Sequence, residues 1–179
     1  NELNYSPSLV TAIKSAKSLA IQDGQSTYGV SHLAIALLYE PTGLVEVLRS
    51  LSKDIEYIKE WFDVRREVYT SNPSNDNIII ADEEVEKIFN EANFNKIRLG
   101  SDYIDAFSVF IAITKPGLVY SDQQIDGLNL SEKELLKHFG LRNNQKTVTL
   151  LNDLSDGDEV KEIIEVPFCE SIYKESIIQ

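Results

Sequence analysis

Methionine is absent from the 179 residues, even at position 1, and cysteine occurs once, as Cys169. A single cysteine excludes an internal disulfide and any multi-cysteine zinc or iron–sulfur site. A start without methionine leads us to expect a piece trimmed from something longer. No apolar run approaches the ~18 residues of a membrane span. The opening NELNYSPSLV has neither the basic region nor the apolar core of a signal peptide, so the expected location is the cytoplasm. Positive charge is scarce: 17 Lys and Arg stand against 29 Asp and Glu, a net charge of −12 with a pI near 4.6. That field repels nucleic acid and anionic membranes, so neither is an expected partner. Basic or neutral protein segments stay open as partners, although acidity commonly serves only solubility.

The motifs of common catalytic sites are missing too. There is no GxxxxGK[ST] to cradle a phosphate, and no GxGxxG, HExxH or GxSxG. His32 sits among Leu33, Ile35 and Ala36 at the head of an apolar segment, so it reads as a side chain bonded to neighbouring backbone rather than a base. His138 falls in a last helical turn, where a cation is mildly favoured. The surroundings of Cys169 are apolar and acidic, which raises a thiol pKa and makes a nucleophile the weaker reading. Asp153 to Glu159 resembles a calcium loop, but its ligands miss the alternating positions an EF-hand needs. The sequons at Asn4 and Asn129 mean little without a secretory signal. Neither a cofactor nor a metal is expected in this domain.

Hydrophobic residues make up 42% and charged residues 26%, the range of a globular domain. Ser6 and Pro7 open a helix to about residue 22, with Leu9, Ile13, Ala16, Leu19 and Ala20 at three- and four-residue spacing. Gly24 ends it. A nearly all-apolar helix spans Ser31 to Glu40, followed by Leu44–Leu51 and Asp54–Tyr69. Residues 70–80 form a connection whose three isoleucines lead back into the body. A helix restarts at Asp82 with the stripe Val85, Ile88, Phe89, Ala92 and Ile97, and Gly100 ends it. Tyr103–Thr114 is strongly apolar, a loop of about a dozen residues follows, and the capping box at Ser131 opens a last helix to Gly140.

This plan repeats. A shift of 76 positions places Ala16 on Ala92, Gly24 on Gly100, Ile35 on Ile111 and Ala36 on Ala112, and a shift of 77 places Leu51 on Leu128 and Phe62 on Phe139. The expected fold is all-α: two pseudo-symmetric four-helix repeats, at about 5–69 and 80–140. Residues 141–179 form an acidic extension, in which Thr147–Leu151 and Val160–Val166 suggest a β-hairpin or extended arm. A partly ordered linker toward a following domain is the equal alternative.

The segment Tyr28-Gly29-Val30-Ser31-His32-Leu33, entering Ala34-Ile35-Ala36-Leu37-Leu38, resembles the Clp amino-terminal domain, the double Clp repeat of Clp/Hsp100 AAA+ unfoldases. Ala12, Ala16, Ala20, Gly24 and His32 fill the first motif, and Ala92, Gly100, Ile104 and Ala112-Ile113 the second. Ser108 departs from it by standing where the first repeat has His32. The resemblance implies a non-catalytic module, monomeric alone, that recruits protein or peptide substrates and adaptors. The parent would be a hexameric ATPase using ATP and Mg. The extra tail and the distance from housekeeping members lean toward a specialised kind, such as the type VI secretion sheath-recycling ATPase. A stand-alone regulatory or adaptor protein is the alternative. Carried over by position, the peptide- or adaptor-binding residues are Ile13 and Lys17 on the first helix and Ala81, Val85 and Phe89 on the fifth. They would line an open, apolar groove. Ile13 and Phe89 also fit the core stripes. His32, Gly24 and Gly100 take structural roles.

Overall fold

The computed structural model describes residues 3–39, 41–69, 73, 78–140, 170–171 and 174–175. Among them are eight helices: α1 Pro7–Gln22, α2 Val30–Tyr39, α3 Leu44–Ser50, α4 Ile55–Arg66, α5 Glu83–Arg98, α6 Ala106–Ile113, α7 Asp122–Leu128 and α8 at 132–140. Two short parallel strand pairs accompany them, β1 Thr27–Tyr28 with β2 Ile80–Ala81, and β3 Glu170–Ser171 with β4 Lys174–Glu175. The chain divides into two compact units, one of residues 1–97 and 101–132, the other of residues 98–100 and 133–179.

The larger unit is built around α2. Residues Val30 to Leu38 of this helix are all buried, and α1, α3, α4 and α6 pack against it. A helix apolar all round has no solvent face, so it must be the centre of its unit. An aromatic cluster ties the repeats together: Phe62 meets Trp61 edge-on at 4.9 Å and Phe110 at 6.0 Å, and Tyr120 meets Trp61 at 5.1 Å.

The internal repeat is visible in individual hydrogen bonds. Ser6 N–H donates to the Ile104 carbonyl (2.8 Å), and Asp82 N–H, 76 positions on, donates to the Tyr28 carbonyl (3.1 Å). Ser6 Oγ caps α1 by accepting from Leu9 N–H, and Asp82 Oδ1 accepts from Val85 N–H in the same way. The bridge of Tyr5 with Ile104 is matched by the pairing of Ala81 with Tyr28. Gly24 and Gly100 share positive φ values of 70° and 67°, and Ser52 and Asn129, 77 apart, share 59° and 60°. Glycine takes such a φ freely, which is why it recurs just past α1 and α5.

The structure corrects three local expectations and leaves a fourth outside the described residues. The loop after residue 117 contains α7, because Ser121 and Gln124 form a reciprocal capping box. Of the three isoleucines in the connection only Ile79 is buried, since an extended backbone turns alternate side chains outward. Ile97 is exposed, one position off the stripe of Val85, Ile88, Phe89 and Ala92. The tail hairpin at 147–151 and 160–166 lies outside the described residues.

Candidate functional site

The starts of α1 and α5 are held reciprocally. Each helix is preceded by a residue bridged to the other repeat, Tyr5 to Ile104 and Ala81 to Tyr28. The Tyr5 ring lies against Phe89 of α5 with centroids 5.3 Å apart. The two helix starts thus belong to one region built from both repeats, though they are 76 residues apart.

The buried stripe of α1 is Leu9, Ala12, Ala16 and Ala20. Ile13 and Lys17 lie one position past it and are half-buried. Ala81 is half-buried in β2. Val85 has no exposed surface and Phe89 is buried beneath Tyr5. Their place on the inward stripe of α5 explains this: positions 85, 88, 89 and 92 face the core at helical spacing. Of the five sequence-predicted residues, Ile13, Lys17 and Ala81 keep surface for a partner, while Val85 and Phe89 back the face from within.

Acid groups gather at the start of α5. Asp82 caps the helix, and Glu83, Glu84 and Glu86 occupy its first turn. Burial pushes the Asp82 carboxyl upward against the pull of the Val85 and Glu84 N–H groups and of His32, and burial likewise raises Glu84.

His32 is 1% exposed. Its Nδ1 accepts the Gly29 N–H at 2.9 Å, so the neutral ring carries its proton on Nε2, 2.9 Å from Asp23 Oδ2. Arg66 closes the cluster with Nε 2.6 Å from Asp23 Oδ2 and Nη2 3.1 Å from Oδ1, and it also reaches Asp63. Burial alone would raise Asp23, but Arg66 and His32 hold its carboxyl below the usual range. Burial lowers His32 despite the facing Asp23. The cluster clamps the end of α1, the head of α2 and the end of α4. In the second repeat, Ser108 Oγ accepts the Asp105 N–H at 3.0 Å, the bond that His32 makes to Gly29. The hydroxyl therefore replaces one of the two imidazole contacts.

A separate depression of about 490 Å³ lies between α1, α2 and α4, lined by Ser15, Ser18, Ile35, Tyr39, Lys59 and Glu60 among others. None of the five predicted residues lines it. Among the described residues no cluster of His, Cys, Asp and Glu could hold a metal, and no helix is long and apolar enough to cross a membrane.

Sequence reasoning missed Tyr5, although the 76-residue shift puts it on Ala81 and Tyr28 on Ile104. The Asp23–Arg66 pair spans 43 residues, and nothing in the spacing announces it.

The profile of the Clp repeat (R) N-terminal domain matches residues 4–119. No curated protein matches the chain in sequence. Among solved structures, the N-domain of ClpV from Vibrio cholerae is similar with a TM-score of 0.64 at 18% identity, over 77% of this chain and 84% of that one. The Hsp104 N-terminal domain from Candida albicans gives 0.60 at 15% identity, over 76% and 89%. A complex of the ClpV N-domain with VipB peptide gives 0.63 at 17% identity, over 76% and 85%. At these identities the likeness speaks for the fold.

Proposed function

The chain belongs to the Clp repeat (R) N-terminal domain family, and from that premise we propose that it is a non-catalytic module that binds protein or peptide segments. The observation that carries this reading is the shared region at the starts of α1 and α5, where each repeat pins the other and Ile13, Lys17 and Ala81 remain accessible. A surface built jointly by two repeats can hold a segment lying across them. The likeness to a ClpV N-domain in complex with a VipB peptide supports the same reading. In our proposal the parent is a hexameric AAA+ unfoldase using ATP and Mg, of a specialised kind such as the type VI secretion ATPase. The domain then recruits substrates or adaptors to that ring.

The test uses the full chain and a fluorescein-labelled VipB peptide. Saturable binding, weakened by about 1–2 kcal/mol in Lys17→Glu or Ile13→Asp without loss of melting temperature, is the expected result. Binding unaffected by either variant overturns the assignment of the face. An AAA+ module following residue 179 in the parent gene would support recruitment, and its absence would favour a stand-alone adaptor.

A further inference from the structure

The pseudo-symmetry supplies an internal control for the segment leading into α5. Ile78 and Ile80 are 65% and 60% exposed, while Ile79 between them is 7% exposed. The positions 76 earlier carry Glu2, Leu3 and Asn4. Asn4 is exposed in the same relation to α1 that Ile80 has to α5, so the fold accepts a polar residue there. Two isoleucines on the surface of a domain with net charge −12 have no packing reason.

The backbone beside them bonds β1 along one edge. In the first repeat, Ile104 N–H donates to the Asn4 carbonyl and Ser6 N–H to the Ile104 carbonyl, both at 2.8 Å. Ile104 thus uses residues 4 and 6, and the N–H and C=O of Tyr5 point the other way. The equivalent bond from Asp82 N–H to the Tyr28 carbonyl leaves the N–H and C=O of Ala81 facing away from β1. β2 has one strand neighbour among the described residues, and Ile78 and Ile80 beside its other edge are exposed. An open edge with apolar side chains is a template for an added strand.

We propose that the edge of β2 away from β1, at Ile78, Ile80 and Ala81, binds an extended protein segment by strand addition. Charge fixes its chemistry. β2 runs directly into Glu83, Glu84 and Glu86, so a segment added parallel to it carries apolar residues at alternate positions followed by Lys or Arg. This deepens the reading of the α1–α5 region as a peptide site and rests on it.

The probe is the labelled peptide TVTVTKK added to the full chain. It is expected to bind, and N-methylation of alternate amides is expected to weaken it about tenfold or more, because the ladder bonds are removed. Ile78→Asn with Ile80→Asn, which copies the polar character of the first repeat, is expected to weaken it about tenfold while the melting temperature holds. Replacing Glu83, Glu84 and Glu86 by Gln should flatten the salt dependence. The proposal is overturned if TVTVTKK fails to bind, if the N-methylated peptide or the isoleucine double variant binds as tightly as its parent, or if the edge instead drives self-association of the chain. VipB peptide bound in a Lys17-dependent way alongside any of these results leaves the α1–α5 reading standing and removes strand addition alone.

Discussion

Asp23 Oδ2 lies 2.9 Å from His32 Nε2 while His32 Nδ1 accepts the Gly29 N–H, so this histidine has both nitrogens committed in its neutral form. Protonation would put a second hydrogen against the Gly29 N–H. Burial lowers its pKa from the ordinary 6.5, so the unfolded chain takes up the proton first. Stability is therefore full above about pH 6.5 and falls as pH drops through the interval between the unfolded and folded values. Asp23, held below the usual carboxylate range, adds a further loss at more acid pH. Chemical denaturation across pH 5 to 8 should show this fall, and His32→Gln should flatten it. A wild-type profile already flat over that range would contradict the account. His32→Ala should cost about 1–3 kcal/mol at neutral pH by orphaning buried partners.

Gly29 is required by close approach. A Cβ there would stand 2.5 Å from the Tyr69 hydroxyl and 2.8 Å from its ring carbon. Tyr69 in turn stacks on His32 with centroids 5.2 Å apart. Gly29→Ala should destabilise by about 1–3 kcal/mol, and Tyr69→Ala in the same chain should recover part of that loss. Melting curves of the single and double variants check it; additive losses would mean that the two residues do not meet.

Ser108 is fully buried and forms the reciprocal capping box of α6 with Asp105. Ser108→Ala should lower stability by about 1 kcal/mol, because the Asp105 N–H loses its acceptor, while the Asp105 carboxylate still caps the helix through the backbone N–H of residue 108. Urea titration measures this. An unchanged midpoint would show that the box is not needed.

The repeat was legible because helix-facing positions repeat at one spacing: Ala16 with Ala92, Ile35 with Ile111, and Gly24 with Gly100. All three pairs answer to backbone or packing demands that a single sequence records. α7 was hidden because its face carries only Ile125 and Leu128, too few to show a period. At the candidate site, the family resemblance pointed to Val85 and Phe89 by position, while their helical spacing marked them as core, and the structure buries both. Tyr5 was overlooked because a two-residue bridge leaves no pattern in the sequence. The Asp23–Arg66 contact depends on how α1 and α4 meet around α2, a tertiary fact with no local signature.

The most direct test of the binding reading is amide chemical-shift mapping of the full chain titrated with VipB peptide. The account predicts perturbations at Tyr5, Ile13, Lys17 and Ala81, with smaller shifts at Val85 and Phe89 behind them. Perturbations confined to residues 44–66, or to the depression between α1, α2 and α4, would contradict it.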